Sequence, residues 1–442
     1  MQQSKTYLLL IVFLLGSLLS TAQVEWSTKS KKAIRAFNEG DAAFRLQNYQ
    51  EAEQSFLKAI GIDPGFYEAH ILLAELYETI HQDSSAVILY KKAISMDADK
   101  YPAAYFYLAE VEYRNGWYTG AESHYQSYLQ YPRNDVKNKQ RAEKHILNCS
   151  FAQKAMDHPV PFEPVNLGMH VNTQLDEYFP CLTADNETLL FTRLLVDKNS
   201  FTGKQEDFYV SRKREDVWET ALNIGLPINT KYNEGAPSLS ADGNTLIFTA
   251  CESVAGYGNN RQGFGRCDLF ISQRQGYSWS TPQNLGKPVS SRHWESQPSI
   301  SADGKTLYFV SNRDSDYDIW VTRQNEKGHW SLPEMLGPNI NTSGYEGSVF
   351  IHPDNQTLYF SSDGHVGMGG MDIFISRLDS TGQWGEPTNL GYPINTWKDE
   401  NSVVISADGQ LAMFASNRKE GYGGLDLYAF ELYEAARPLF VT

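Results

Sequence analysis

The chain has 442 residues, and its 38 Lys and Arg against 53 Asp and Glu leave a formal net charge of −15. That balance excludes a nucleic-acid binder, because phosphate contacts need a basic face, and it disfavours docking on anionic lipid. At 41% hydrophobic and 21% charged residues the composition is globular, and 33 Gly with a 13% aromatic content point to many short strands and tight turns.

Residues 1–22 have the form of an export signal. Lys5 gives a basic start, Tyr7–Leu19 is a largely apolar run of 13, and Ser20-Thr21-Ala22 places small residues at −3 and −1. The run is too short to cross a hydrocarbon core of about 30 Å as a helix. Cleavage after Ala22 is expected, with no Cys following it for lipid attachment and no transmembrane segment in the mature chain. Export implies an oxidising compartment in which cysteines pair. Cys251 and Cys267 bracket a Gly-rich loop between two predicted strands, so a disulfide across its base is a candidate. Cys149 and Cys181 read as buried thiols in different domains.

Residues 30–156 read as helical and repetitive. Gly40, Ala52, Phe56, Ala59 and Pro64 recur 34 residues later as Ala74, Ala86, Tyr90, Ala93 and Ala98, and a looser third copy holds Ala109, Ala121 and Tyr125. Small residues at fixed points let paired helices approach, and the aromatic fills the hole between them. This period and pattern resemble the tetratricopeptide repeat. Arg133–Met156 reads as a solvating helix over the last repeat. Tyr67, His70, Tyr105, Tyr113 and Trp117 are candidates for a concave partner-binding surface; the competing reading packs them between helices, with the array acting as a spacer.

From residue 160 to 435 the period lengthens. Asp185, Asp242, Asp303, Asp354 and Asp408 sit in turns separated by 57, 61, 51 and 54 residues. A Leu-Gly or Ile-Gly pair ends at Gly168, Gly225, Gly286, Gly337 and Gly391, and nine residues later come Glu177, Glu234, Glu295, Glu346 and Glu400. Asp207, Asp268, Asp318, Asp372 and Asp426 open a later apolar strand. Four short strands per unit, repeated five times, predict a five-bladed β-propeller. The fragment Phe162–Gly168 supplies the fourth strand that the last unit lacks, which closes the ring. The expected fold class is therefore α plus all-β multidomain, a tetratricopeptide α-solenoid followed by the propeller.

Units such as Glu-Ser-Gln-Pro-Ser-Ile-Ser-Ala-Asp-Gly-Lys-Thr-Leu-Tyr-Phe-Val-Ser-Asn-Arg at 295–313 closely resemble the TolB-type, WD40-like propeller repeat. An export signal, tetratricopeptide repeats and this propeller, in that order, are similar to envelope proteins of Bacteroidetes-like bacteria in the OmpA family. The resemblance implies the periplasm or the periplasmic side of the outer membrane, with envelope proteins as partners. In that family a small β-sandwich and an OmpA-like domain typically follow. Here 436–442 reads as the start of a linker, so peptidoglycan binding is expected only if the full protein carries such a domain.

Five Glu at the mouths of the first strands are expected to ring the central channel, where carboxylates bind a cation or a basic peptide. The competing reading has each Glu accept backbone N–H bonds and lock neighbouring blades, which the repetition favours. Gly263-Phe264-Gly265, Gly367-Met368-Gly369 and Gly421-Tyr422-Gly423 each offer one side chain (Phe264, Met368 or Tyr422) as an interface anchor on one face. Asp314, Asp316 and Asp318 alternate like Ca²⁺ ligands, but Ile319 stands where an EF-hand loop needs Gly, so no metal or cofactor is expected. No nucleophile elbow, zinc-protease helix or Cys–His pairing is present, and the acids are copies rather than a unique catalytic pair. The function expected is a non-enzymatic envelope scaffold, accessory to outer-membrane or secretion machinery. A propeller binding a glycan or peptide is the alternative, and a glycoside hydrolase the third reading.

Overall fold

The computed structural model describes residues 26–132, 134–198, 200, 203–252, 256–257, 261–314, 316–418 and 421–439, so the export-signal segment lies outside the described residues. The chain divides into two compact units, 1–104 and 105–442.

The first unit contains α1 (Lys31–Arg45), α2 (Tyr49–Ile62), α3 (Tyr67–Thr79) and α4 (Asp83–Met96). Ser30 starts α1 by accepting the Ala33 N–H on its hydroxyl at 3.3 Å. The small residues of the 34-residue period are where helices touch: Ala52, Ala59, Ala74, Ala86 and Ala93 are fully buried. A Cβ on Gly40 would lie 2.8 Å from the Phe56 ring. Glycine is thus what lets α1 close on α2 at interior packing density. Phe37, Phe56, Phe66, Leu73 and Leu76 form the core of this unit.

The boundary falls near the start of α5 (Ala103–Tyr113), and the second unit continues with α6 (Tyr118–Leu129) and α7 (Val136–Asp157). Five antiparallel sheets follow. Blade 1 has strands Asp176–Leu182, Thr188–Val196, Lys204–Arg214 and Leu222–Asn223; blade 2 has Glu234–Leu239, Thr245–Cys251, Cys267–Gln275 and Gln283–Asn284. Blade 3 has Glu295–Ile300, Thr306–Asp314, Asp316–Arg323 and Glu334–Met335; blade 4 has Glu346–Ile351, Thr357–Ser362, Asp372–Arg377 and Thr388–Asn389. Blade 5 combines Asn401–Ile405, Leu411–Ser416 and Asp426–Glu431 with Val165–Asn166, Val165 lying opposite Ala429 and Asn166 opposite Tyr428. The ring is therefore closed by the start of the propeller segment, and the chain is a set of tetratricopeptide-like helices followed by a five-bladed β-propeller.

Apolar clusters sit between consecutive blades, such as Phe208, Leu246, Phe248 and Phe270 between blades 1 and 2. The turn Asp residues are used locally: Asp185, Asp242, Asp303, Asp354 and Asp408 each accept the N–H two residues on, at 2.9–3.0 Å. The segment expected to begin a linker instead packs on the propeller over its described part, 436–439. Ala436 is buried, Tyr359 donates its hydroxyl to the Ala436 carbonyl at 2.6 Å, and Arg377 donates to the carbonyls of Ala435 and Arg437.

Candidate functional site

Each of the five glutamates follows a connector that runs from the preceding blade, and each carboxylate is fastened to that connector. Glu177, Glu234, Glu295, Glu346 and Glu400 accept the backbone N–H of Thr173, Thr230, Ser291, Thr342 and Thr396 at 2.9–3.0 Å. The hydroxyls of the same residues donate to the other carboxylate oxygen at 2.5–2.7 Å. One residue earlier, an Asn amide imitates a strand partner. Asn172, Asn229, Asn341 and Asn395 each exchange two hydrogen bonds with the backbone of Leu427, Phe208, Ile319 and Ile373 on the preceding blade's third strand. The connector is thus pinned to one blade by Asn and to the next by Glu.

A cation completes the staple. Arg193 donates to Glu177 at 2.7 Å, Arg261 to Glu234 at 2.8 Å and Arg313 to Glu295 at 3.1 Å. The same guanidinium groups reach the Val171, Ile228 and Val289 carbonyls, and Arg261 lies beside the Phe248 and Phe270 rings, 5.5 and 5.7 Å from their centroids. In blade 4 His365 takes this place, against the Ile340 carbonyl at 2.9 Å and beside the Phe360 and Phe374 rings. Burial pushes the Glu234 and Glu400 carboxyls up to about 7 against the pull of their hydrogen bonds.

The carboxylates are therefore arranged as in the competing reading, gripping the connectors between neighbouring blades, and not as a ring facing the channel. The axial cavity is lined by the inner strands, including Phe179, Ala236, Gln297, Ser348 and Ser402, and none of the five Glu borders it. All five lining residues named here have left-handed backbone, φ between 49° and 60°, at a bulge where each inner strand slips register. The bulge turns amides towards the neighbouring blade: Ala236 N–H donates to Thr192 and Gln297 N–H to Thr249, both at 3.2 Å. The cavity leaves about 80 Å³ for the centres of water molecules, room for on the order of five waters. A sugar or peptide needs a pocket of roughly 300–1,000 Å³. Among the described residues no cluster of three or more His, Cys, Asp or Glu is placed to hold a metal ion.

The three Gly-rich loops share one geometry and have different surroundings. In each, the amide of the central residue donates to the Asp that opens the third strand: Phe264 to Asp268 at 2.5 Å, Met368 to Asp372 at 2.7 Å, Tyr422 to Asp426 at 2.6 Å. A Cβ on Gly265, Gly369 or Gly423 would lie 2.0–2.4 Å from backbone atoms of the next connector, which explains the glycine. Phe264 and Tyr422 are 46% and 49% exposed. Met368 is buried and is no exposed anchor, because the helices of this unit cover it. It packs with Tyr113, Tyr118, Cys149 and Ala152 and with Tyr392 and Trp397. Tyr118 donates its hydroxyl to the Met368 carbonyl at 2.7 Å, Tyr113 donates to the Gly369 carbonyl at 3.1 Å, and the Asn148 side chain accepts the Gly367 N–H at 3.2 Å. Helix α7 also brings Lys144 to the Asp363 carbonyl, placing a cation on the blade whose staple lacks arginine. Helix α7 thus lies on the last repeat, with Gln153 bonded to Thr119 and Glu122, and also meets the propeller through Asn148 and Lys144.

Among the helical candidates, Tyr67, His70 and Tyr113 are buried, Tyr105 is half-buried and Trp117 is 43% exposed. Tyr67 and His70 therefore present no binding surface: they pack on α3, with His70 against the Pro64 carbonyl at 3.0 Å. Glu75 on the same helix is pushed up to about 7 by burial and by the charges of Glu78 and Asp41. An acid whose folded value is raised stabilises below its unfolded value of 4.5 and loses that contribution as pH rises through 7. Stability of the first unit should fall between those limits, and Glu75→Gln should flatten the slope in unfolding curves taken at pH 4.5 and pH 7.5.

A disulfide joins Cys251 to Cys267, 16 residues apart, at the base of the loop that carries Arg261 to Glu234. Cys149 and Cys181 are free, buried thiols. Replacing both bridged cysteines by Ser should cost about 3 kcal/mol in the chain-entropy picture. Unfolding of the wild type in reductant should reproduce the shift.

A family model described as tetratricopeptide repeat matches residues 36–66. No curated protein matches the chain. Among solved structures, TolB from Acinetobacter baumannii is similar at 14% identity, covering 66% of this chain and 70% of its own, with a TM-score of 0.36. The first tetratricopeptide domain of Spaghetti, bound to an HSP90 peptide, is 19% identical over 27% of this chain and 94% of its own, with a TM-score of 0.25. The Yersinia enterocolitica type III secretion chaperone SycD, in complex with a peptide of the translocator YopD, is 17% identical over 28% of this chain and 96% of its own, with a TM-score of 0.26.

Proposed function

We propose that this chain is a non-enzymatic scaffold that holds protein partners through its helical repeats and its propeller, in the envelope of an exporting bacterium, on the periplasmic side of the outer membrane. The observation that carries the reading is the fate of the repeated acids. All five Glu are consumed by the same internal staple, so the propeller spends its repeated chemistry on holding blades together. A glycosidase needs two carboxyl groups facing a substrate groove, and a channel ligand needs more room than about 80 Å³. The departure from the repeat in blade 4 seats helices of the same chain. The Cys251–Cys267 bridge fits an oxidising compartment, and no described helix is long and apolar enough to cross a membrane.

Co-purification with the tagged full chain from detergent-treated envelope fractions tests the proposal. Envelope proteins should be retained stoichiometrically and survive a Glu295→Gln change. Turnover of glycosides abolished by one Glu→Gln substitution would overturn it.

A further inference from the structure

The three Gly-rich loops share one backbone geometry and differ in what reaches their carbonyls. In blade 4 it is the helices: two tyrosine hydroxyls, from Tyr118 and Tyr113, reach the Met368 and Gly369 carbonyls. In blade 2 one carbonyl is satisfied from within, because Tyr257 of the same blade donates its hydroxyl to the Gly265 carbonyl. In blade 5 the corresponding carbonyls, of Tyr422 and Gly423, receive no hydrogen bond among the described residues.

The blade 5 loop repeats the main backbone hydrogen bonds of the blade 4 loop. Tyr422 and Gly423 amides cradle Asp426 as Met368 and Gly369 amides cradle Asp372. Leu425 N–H donates to Asp176 on the next connector at 2.9 Å, as Met371 N–H donates to Asp399 at 3.0 Å. Gly423 abuts the Thr173 and Leu175 carbonyls as Gly369 abuts the backbone of Thr396 and Trp397. The flanking side chains differ in identity and in cover: Tyr422 stands for Met368, Met169 for Tyr392 and Gln174 for Trp397. Met368 is buried and Tyr392 packs against the same helices, whereas Tyr422 is 49% and Met169, one residue after the equivalent Gly168, 69% exposed.

From this correspondence we infer that the Gly421–Gly424 loop, with Met169, is a second docking site, and that its occupant is a helical hairpin of a partner protein that donates tyrosine hydroxyls to the Tyr422 and Gly423 carbonyls. The occupied loop in the same molecule supplies the argument for that occupant, since the equivalent blade 5 loop offers the corresponding pair of carbonyl acceptors beside the exposed Tyr422 and Met169 side chains. The inference rests on the scaffold reading and names one surface for it.

The test places a benzophenone amino acid at position 422 of the full chain, in its native cells, with position 277 as control because Tyr277 is fully exposed and lies outside the loop. The expected result is a light-dependent adduct at 422, at least about tenfold above the control, with the attachment point in a helical segment. Tyr→Phe changes in that segment should reduce the adduct several-fold. Adducts no stronger than at 277, or adducts to glycan, lipid or an extended segment, would overturn the inference. If crosslinks from other positions still captured partners, the loop assignment would fail while the scaffold reading stood.

Discussion

Replacing Arg261 by Met is expected to lower the unfolding free energy by about 3–5 kcal/mol, the range for removing one partner of a buried ion pair. The Arg261 and Glu234 side chains are 1% and 0% exposed, so water cannot take over the charge that is left. Glu234 also holds the Thr230 amide and hydroxyl, and an unpaired carboxylate would be driven to protonate. Adding Glu234→Gln to Arg261→Met should recover a substantial part of the loss, because the amide oxygen still accepts from Thr230 without carrying charge. Urea unfolding of the three variants gives the measurement. A loss under about 1 kcal/mol for Arg261→Met would mean that the staple does not hold the blades.

Met368→Ala should cost about 2–5 kcal/mol, the usual range for emptying a buried methionine site, and the cost should be local. Amide exchange in α7 should accelerate, because Met368 lies in the cluster that seats Cys149 and Ala152. Phe264→Ala and Tyr422→Ala, at equivalent positions left half exposed, should stay within about 0.5 kcal/mol. Equal effects at all three positions would show that the loops act in turn geometry alone and that the helices are not held through Met368.

The sequence was most informative where structure repeats at a fixed offset. Ala52, Phe56 and Ala59 recur at 34 residues because each helix pair needs the same small and large contacts, and all are fully buried. An Asn five residues before four of the five Glu, with Ser290 in its place in blade 3, recurs at the same offset and is a signal that the reading of the sequence passed over. The staple arginines were not readable. Arg193, Arg261 and Arg313 lie 16, 27 and 18 residues after their glutamates, because Arg193 and Arg313 sit on the second strand of their blades and Arg261 on the loop that follows it. The five left-handed bulge residues gave no signal, since Phe179, Ala236, Gln297, Ser348 and Ser402 share a backbone conformation and no side-chain chemistry. The burial of Met368 depends on Tyr118, 250 residues away, a pairing that no local pattern encodes. For the five Glu the period was visible and favoured a locking role over a channel ring, while the connector residues that grip each carboxylate were not singled out.

The central claim is that this chain works by holding other proteins. Crosslinking in intact cells followed by mass spectrometry tests it most directly, with chains lacking residues 30–104 or carrying Met368→Ala as comparisons. The account predicts reproducible crosslinks to envelope proteins, with distinct subsets lost in each altered chain. Crosslinks confined to the chain itself, or to peptidoglycan fragments, would contradict it.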